Sequence, residues 1–310
     1  MARILITPRS LTRGGDPALE LLTRAGHELV FCTPGKSPEE RELSALVPGC
    51  SGWLAGVEKI TDAVLSRADC LTVISRNGTG VDSIDLAACE RRGIAVLRAE
   101  GANARGVAEL TLGLILALLR SVPFADARMK AGAWERRQGT ELEGRTLGVI
   151  GTGRIGRLVT KFAVAMDMAV LGYDAVPDAA YAPSRSFRYA SLDEVLSTSD
   201  VLTLHCPHTP GEPPLIDAAA LGRMKRGAIL VNTARAGLVD AAAVEAALAD
   251  GALAGYGVDA YEREPPEPSS LLRHDRVIAT PHVGSFTAES VSRATRAAVD
   301  NLLRALSGMR

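Results

Sequence analysis

TLGVIGTGRIGRLVTKF, residues 146–162, carries the clearest indication of the fold. A short apolar run ends at Gly151, and Gly151, Gly153 and Gly156 then fit the spacing G-x-G-x-x-G at the start of a helical pattern. The first glycine permits a tight turn, the second lets the backbone approach a pyrophosphate, and the third lets the helix pack closely on the strand. Because N–H groups at a helix start attract anions, the stretch predicts a dinucleotide-binding turn.

The next apolar run, AVLGYD, sharpens this prediction. It ends at Asp174, 18 residues after Gly156. A carboxylate at that distance accepts hydrogen bonds from the ribose hydroxyls and repels a 2′-phosphate, so we expect NAD rather than NADP. The alternative is an ordinary glycine turn followed by a surface aspartate.

Short apolar runs alternate with helical patterns on both sides of this turn, which is typical of parallel α/β sheets. The predicted strands before it are RILIT, ELVFCT, GWLAG, LTVIS and IAVLR, and those from Thr146 onward are TLGVIG, AVLGYD, DVLTLHCP, AILVNTA, GYGVDAY and VIATPH. A helical run from Asn103 to Arg120 separates the two sets, and a final helix extends from about Ala288 to Leu306. We therefore expect two α/β units, with the last helix returning to the first.

Composition limits the classes of partner. The 310 residues carry a net charge of −1 without a basic stripe, which argues against nucleic acid. The N-terminal apolar run is too short for a signal peptide. The longest apolar stretch, LTLGLILALL at 110–119, is half of a bilayer span and predicts a buried helix, with no membrane partner. Five scattered cysteines without a C-x-x-C pair indicate reduced thiols in a cytoplasm and no metal site.

Three polar residues, Arg235, Glu264 and His282, each follow a predicted strand of the second set. The carboxyl ends of parallel strands form the ligand crevice of such folds. An arginine fork suits a carboxylate, and a glutamate can orient an imidazole and keep it protonated. A positioned imidazolium can donate a proton to a carbonyl oxygen. Each residue alone also fits a helix-cap charge, a solvated acid or a histidine beside a turn, but together they predict a site.

The chain resembles the D-isomer-specific 2-hydroxyacid dehydrogenases, and it is nearest to the branch of 3-phosphoglycerate dehydrogenases and hydroxypyruvate reductases. Seven motifs in the family's order carry the resemblance over nearly all of the chain. They are RNGTGVDSIDL (76–86), NARGVAELT (103–111), GRTLGVIGTGRIGR (144–157), LHCPHTPGEPPLI (204–216), MKRGAILVNTARAGLVD (224–240), GVDAYEREPP (257–266) and TPHVGSFT (280–287).

The resemblance implies a role for each matching residue. Arg235, Glu264 and His282 correspond to the family's catalytic residues, and Asp259 is expected to meet the nicotinamide carboxamide. The substrate is expected to contact Arg235 and His282. It is also expected to contact Arg76 and the glycine loop that follows it, Asn77, Gly78, Thr79 and Gly80, and the backbone amides of this loop would receive the substrate carboxylate. Besides the residues already named, the expected cofactor contacts are Thr79, Arg154, Ile155, Cys206, Pro207, Thr233, Ala234, Gly284 and Ser285.

The family fold implies two Rossmann-like, doubly wound parallel-sheet domains with a cleft between them. A flavodoxin-like substrate domain would comprise residues 1–100 and 285–310, and an NAD-binding domain residues 101–284. Two linking helices would act as a hinge whose closure excludes water. A homodimer is expected through the nucleotide domain, with the segment around Trp134 in contact with its partner.

Departures from the family pattern concern the substrate. Phosphoglycerate dehydrogenases carry an arginine where LAGVEKIT (54–61) has Ala55 and Val57. Lys59 and Arg98 either compensate or lie on the surface. Gly106 replaces a usual serine, and Glu264 rather than glutamine makes formate an unsuitable substrate. A phosphoglycerate-, hydroxypyruvate- or glyoxylate-like acid remains the expectation; the alternatives are a dehydrogenase of a small phosphonate and an NAD-sensing, corepressor-like binding protein.

Overall fold

The computed structural model describes residues 1–308, and these form two compact units. Unit 1 contains residues 1–103 and the C-terminal segment that begins at Ala288, and unit 2 is Ala104–Thr287. Both are built from parallel strands with intervening helices. This confirms the predicted fold class, whereas the roles expected for the two domains stay predictions.

Unit 1 is a five-stranded parallel sheet in the order β2-β1-β3-β4-β5. Its strands are β1 (Arg3–Ile6), β2 (Glu28–Phe31), β3 (Gly52–Ala55), β4 (Val73–Arg76) and β5 (Ala95–Arg98). Its helices are α1 (Pro17–Arg24), α2 (Glu40–Leu46), α3 (Asp62–Leu65), α4 (Leu86–Arg91) and the C-terminal α12 (Ala288–Ser307). Because all five strands are parallel, their carboxyl ends lie on one edge.

Helix α12 covers one face of this sheet. Val299 and Leu302 are fully buried with Ile4 and Leu54 of the strands, so the helix contributes an apolar stripe to the core of unit 1. The Ser75 hydroxyl in β4 donates to the carbonyl oxygen of Ala298 at 2.9 Å. The end of the chain therefore completes the core that its beginning starts.

Unit 2 is a seven-stranded parallel sheet in the order β12-β11-β10-β9-β6-β7-β8. The strands are β6 (Thr146–Ile150), β7 (Ala169–Tyr173), β8 (Phe187–Tyr189), β9 (Val201–Leu204), β10 (Ala228–Asn232), β11 (Leu253–Val258) and β12 (Val277–Ala279). The helices are α5 (Ala104–Leu119), α6 (Val122–Lys130), α7 (Arg154–Ala165), α8 (Leu192–Thr198), α9 (Ala218–Arg223), α10 (Ala241–Ala249) and α11 (Ser270–Arg273).

Two details of unit 2 differ from the expectation. Strand β8 was not predicted, because three residues are too few for a periodic signal; it is held by pairing with β7 and by edge-on packing of Phe187 against Tyr181 and Tyr189. The helical run expected from Asn103 to Arg120 is followed by a second helix, α6, after Ser121 in a left-handed conformation.

Within residues 1–308, no single helix has the length and apolarity needed to cross a membrane. In the same range, the bent pair formed by α5 and α6, whose axes differ by 63°, passes that test of length and composition together.

The order of strands in unit 2 reverses between β6 and its neighbours. Strand β6 pairs with β7 on one side and with β9 on the other, so the chain winds outward in both directions from this point. Ligands of open parallel sheets bind outside the carboxyl ends of the strands at such a reversal. The glycine turn follows β6 directly, so it lies at the position where the fold places a ligand.

Candidate active site

The glycine turn has the geometry that its sequence predicted. Gly151 has φ +93°, and a Cβ atom there would lie 2.5 Å from the backbone nitrogen of Cys206. A Cβ at Gly156 would lie 2.0 Å from the carbonyl oxygen of Gly151, so only glycine allows α7 to pack against the turn. At Gly153 a Cβ would have nothing within 4 Å, which leaves the outer side of the turn open.

Helix α7 begins at this open side. Gly153 is its N-cap residue and has no side chain to bond the first N–H groups of the helix. Uncapped N–H groups and the helix dipole favour an anion such as a pyrophosphate. The turn, the close packing and the open helix start therefore fit a dinucleotide.

Asp174 lies just beyond the carboxyl end of β7, where the ribose of such a ligand is expected. Its carboxylate accepts hydrogen bonds from the Thr152 amide at 2.7 Å, the Thr152 hydroxyl at 3.0 Å and the Val176 amide at 3.1 Å. Burial opposes ionisation, but these hydrogen bonds outweigh it and hold the pKa of Asp174 below its usual value. The side chain is therefore a fixed negative charge beside the turn.

The other predicted cofactor contacts follow neighbouring strands. Cys206 and Pro207 come after β9, with the Cys206 amide against the turn, and Thr233 and Ala234 come after β10. The Thr233 hydroxyl lies 2.9 Å from that of Thr111 in α5, which ties the end of β10 to the helix. These residues lie on the same edge of the sheet as Gly151.

A buried asparagine that was not predicted from the sequence holds the turn carrying Arg235. Asn232 is fully buried at the end of β10; its side-chain amide donates to the Arg235 carbonyl at 2.8 Å, and its oxygen accepts from the Ala234 amide at 3.0 Å. Arg235 is partly exposed, with a guanidinium nitrogen donating to the Ala234 carbonyl at 2.8 Å. Because a buried amide needs partners, the asparagine ending an apolar run was the available signal.

His282 and Glu264 form a pair, although 18 positions separate them in sequence. The Nδ1 atom of His282 lies 2.6 Å from Oε1 of Glu264, and both side chains are about half exposed, at 50% and 44%. Glu264 follows β11 and His282 follows β12, two adjacent strands. The contact occupies Nδ1 of the ring and leaves Nε2 for another partner.

Asp259 holds the loop that carries His282. Its buried carboxylate accepts from the Thr280 hydroxyl at 2.6 Å and from the amides of Val283 and Gly284, each at 2.8 Å. His282 itself adopts φ +52°, a left-handed conformation that only a well-supported loop maintains. The structure therefore shows Asp259 bonded to the loop; its contact with a nicotinamide stays a prediction.

Tyr261 adds a second tie between the same two segments. Its hydroxyl donates to the Thr280 carbonyl oxygen at 2.8 Å. Burial, with smaller contributions from the charges of Asp259 and Glu264, raises the pKa of Tyr261 to about 12. The hydroxyl therefore stays protonated and able to donate. This tyrosine was not predicted either, since nothing in the local sequence distinguishes it.

His205, at the end of β9, is a buried group beside the turn. Both ring nitrogens are buried and have no hydrogen-bond partner among residues 1–308. Burial lowers the pKa of His205 to about 3, so the ring is neutral at ordinary pH. Its carbonyl group would contact a Cβ at Gly151, which places the residue against the glycine turn.

The predicted substrate residues Arg76, Asn77, Gly78, Thr79 and Gly80 lie together at the carboxyl end of β4 in unit 1. A guanidinium nitrogen of Arg76 donates to the Asn77 carbonyl oxygen at 2.7 Å. A Cβ at Gly78 would lie 2.9 Å from the same nitrogen. The loop is therefore folded around the arginine. No group of three or more His, Cys, Asp or Glu side chains in the described part of the chain is placed to hold a metal ion.

Comparison with known proteins identifies the family of unit 2. A family model described as "D-isomer specific 2-hydroxyacid dehydrogenase, NAD binding domain" matches residues 112–284. The matched range includes the glycine turn, Arg235, Glu264 and His282. Because the model describes an NAD-binding domain, the match identifies NAD as the cofactor of this unit.

Relatives agree over longer ranges. The D-3-phosphoglycerate dehydrogenase of Rattus norvegicus is 38% identical over 281 residues, which are 90% of this chain and 52% of the relative. The TT0316 protein from Thermus thermophilus is 37% identical, with a TM-score of 0.88 over 99% of this chain and 97% of that one. D-lactate dehydrogenase from Aquifex aeolicus, solved with NAD and lactic acid, is 30% identical, with a TM-score of 0.82 over 99% and 96%. The chain thus spans about half the length of the curated relatives that it matches.

Proposed function

The chain belongs to the family of D-isomer-specific 2-hydroxyacid dehydrogenases, and we propose that it catalyses the NAD-dependent interconversion of a small 2-oxo acid and its D-2-hydroxy acid. The single observation that carries the proposal is the contact of 2.6 Å between His282 Nδ1 and Glu264 Oε1. It pairs an acid–base side chain with a carboxylate beside the sheet edge that holds the glycine turn.

His282 is the proposed proton donor in reduction and proton acceptor in oxidation. Glu264 accepts from Nδ1–H, so the ring presents Nε2 to the substrate oxygen. A carboxylate partner stabilises the imidazolium form that donates the proton. Asp259 and Tyr261 act on this step as positioning residues, because their hydrogen bonds hold the segment from Thr280 to Gly284.

Arg235 is the proposed anchor of the substrate. Its planar guanidinium matches a carboxylate or a carboxylate and the adjacent carbonyl oxygen, and Asn232 fixes the turn that carries it. We propose that the amides of Asn77 to Gly80 also receive the substrate carboxylate and that Arg76 borders its other end. The conformation of that loop around Arg76 supports this assignment.

The cofactor residues have separate tasks. When bound, NADH supplies a hydride to the carbonyl carbon, and NAD⁺ accepts it in the reverse direction. Gly151, Gly153, Arg154, Ile155 and Gly156 offer the turn and helix start to the pyrophosphate. We propose that Asp174 receives the ribose hydroxyls, with further contacts from Thr79, Cys206, Pro207, Thr233, Ala234, Asp259, Gly284 and Ser285.

A substrate panel tests the proposal. Glyoxylate, hydroxypyruvate, 3-phosphohydroxypyruvate and a small phosphonate are each assayed by the change in NADH absorbance, with NADPH as the matched cofactor. We expect turnover of at least one 2-oxo acid and a strong preference for NADH. Turnover of the phosphonate alone would refute the proposal that the substrate is a 2-oxo acid, and a preference for NADPH would refute the role given to Asp174.

We also propose a homodimer that forms through unit 2. Support comes from exposed apolar side chains on and after α6, namely Val122, Met129 and Trp134, the last of which is 81% exposed. Sedimentation of the wild type and of Trp134→Ser, with Phe286→Ser as the control for an exposed aromatic elsewhere in unit 2, tests it. A monomeric wild type contradicts the proposal.

The remaining proposals concern the cellular compartment of the protein and the class of its partner. A reducing compartment, the cytoplasm, is supported by five free cysteines. The net charge of −1 supports a small anionic substrate, rather than nucleic acid or a membrane surface, as the partner. Alkylation of the thiols in freshly lysed cells tests the first of these. The protein is denatured in the reagent to expose the buried Cys32, Cys50 and Cys89, so that only oxidised cysteines resist it.

A further inference from the structure

A buried carboxylate that takes no part in the proposed reaction lies at the carboxyl edge of the sheet in unit 1. Glu58 follows β3, and only 5% of its surface is exposed. Its Oε1 atom accepts from the Gly56 amide at 2.9 Å and from the hydroxyl of Thr7, which follows β1. The indole N–H of Trp53 in turn donates to Thr7 at 2.8 Å. Glu58 is therefore fixed in place at the ends of two central strands.

The chain leaves room for this carboxylate. A Cβ at Gly56 would lie 2.6 Å from Oε2 of Glu58 and 2.9 Å from the Cα of Pro8, so a larger residue at position 56 would displace one of them. Charged side chains are seldom buried unless hydrogen bonds or an ion pair compensate them, because their removal from water is unfavourable. Glycine at 56 and glutamate at 58 thus belong to one arrangement.

Arg76 ends the next strand, β4, where it is the register partner of Ala55, three residues before Glu58. Burial lowers the pKa of its guanidinium, while the negative charges of Glu58 and, more weakly, Asp82 oppose that shift. The Nε atom of Arg76 is buried without a hydrogen-bond partner in the described part of the chain. Arg76 therefore lies in the field of Glu58, which offsets its positive charge.

Neither Lys59 nor Arg98 places a buried positive charge at this edge. Ala55 is fully buried, and Val57 is apolar and 70% exposed, at the place where phosphoglycerate dehydrogenases are expected to carry an arginine. Lys59 is exposed, and Arg98 is exposed and pairs with Glu100 at 4.0 Å. Both side chains therefore lie on the surface, which was the alternative to compensation for the absent arginine.

We propose that Glu58 determines substrate choice by excluding phosphorylated acids, so that the substrate is a 2-oxo or 2-hydroxy acid whose other end is uncharged, such as hydrogen or a hydroxymethyl group. A buried carboxylate repels a phosphate dianion, and it leaves Arg76 without the net charge that a phosphate requires. This inference rests on the proposed function, in which the loop after β4 receives the substrate.

The wild-type protein gives the first test. Values of kcat/KM are measured with NADH for hydroxypyruvate and 3-phosphohydroxypyruvate, which differ only in the phosphate. Repulsion by a single buried charge predicts a preference of at least about tenfold for hydroxypyruvate. Equal values or a preference for the phosphorylated acid overturn the inference but leave the proposed function standing, whereas no turnover of any 2-oxo acid overturns the proposed function itself.

A variant then assigns the preference to Glu58. Glu58→Gln keeps the volume and one acceptor but removes the charge, and we expect the ratio of the two kcat/KM values to shift about tenfold toward the phosphorylated acid. Glu90→Gln is the control, because it removes an exposed, screened charge in helix α4 of the same unit. Thermal denaturation checks that both variants fold.

The structural alternative is that Glu58 only supports Thr7 and Trp53. In that case Glu58→Gln lowers the denaturation midpoint without moving the substrate ratio, which overturns the inference. Should this variant fail to fold, Val57→Arg takes its place, since position 57 is exposed and an added cation is expected to shift the ratio in the same direction. An unchanged ratio in that variant likewise overturns the inference.

Discussion

Each sheet has one buried carboxylate just beyond its carboxyl edge, Asp259 in unit 2 and Glu58 in unit 1, and the two are held in different ways. Asp259 accepts three hydrogen bonds from a single loop, and that loop presents His282. Glu58 accepts from Gly56 and Thr7, on the ends of two strands, and acts on Arg76 through its charge. A buried acid can thus hold a loop in place or offset a neighbouring positive charge, and the groups that donate hydrogen bonds to it indicate which.

The largest expected effect is the loss of His282, the proposed proton donor, whose loop Asp259 holds. His282→Asn is preferred to alanine because asparagine tolerates the left-handed backbone at this position. We expect kcat to fall about 1,000-fold, as for the removal of a general acid. His274→Asn, before the opposite end of β12, is the control and should change kcat little. A loss smaller than about tenfold in a folded His282→Asn protein would remove the acid–base role.

The second prediction compares two glycines of unit 2. Gly156→Ala forces a Cβ to within 2.0 Å of a backbone oxygen and should reduce the free energy of unfolding by about 3 kcal/mol and weaken NAD binding. Gly113→Ala in α5 meets nothing within 4 Å and should stabilise the protein by about 0.5–1 kcal/mol. Urea denaturation and NADH titration give both values. Equal effects of the two changes would contradict the packing role of Gly156.

The third prediction separates the two carboxylates directly. Asp259→Asn replaces an acceptor with a group that cannot accept from the amides of Val283 and Gly284 together, so the free energy of unfolding should fall by about 2 kcal/mol and kcat about tenfold. The preference between hydroxypyruvate and its phosphorylated form should not move, whereas Glu58→Gln should move it. A shift of that preference in Asp259→Asn would erase the distinction between the two acids.

The smallest expected effect is the loss of stability at acidic pH that the buried His205 causes. His205 has a pKa of about 3 when folded against 6.5 when unfolded, so the unfolded chain binds more protons as the pH falls through this window. The stabilising neutral form is fully present above pH 6.5, and the free energy of unfolding should be about 1 kcal/mol lower at pH 5.5 than at pH 7 from this residue.

Urea denaturation of the wild type and of His205→Phe at the two pH values isolates this contribution. Phenylalanine keeps a planar ring without a titrating group. On acidification, the free energy of unfolding of His205→Phe should therefore fall by about 1 kcal/mol less than that of the wild type. An identical loss in both proteins would mean that the buried ring does not titrate in this window.

Much of the fold and of the site in unit 2 followed from sequence because short-range rules govern them. The turn at Gly151 needs a positive φ, the strands are apolar on both faces, and Arg235 and His282 each follow a strand end closely. Strand β8 was missed because its three residues are held by the neighbouring strand rather than by their own pattern. Asn232 and Tyr261 were missed because their importance lies in contacts with distant backbone.

The two parallel sheets, the dinucleotide turn, NAD as the cofactor and the three polar residues at strand ends could all be predicted from the sequence, since periodicity, glycine geometry and motif order are local properties. The three-dimensional packing was needed to establish the contact of 2.6 Å between Glu264 and His282, the hydrogen bonds from the histidine loop to Asp259, and the burial of Glu58. The physical reason is that hydrogen bonding, burial and charge depend on which strand ends become neighbours, and strand order is set by the packing of the whole chain.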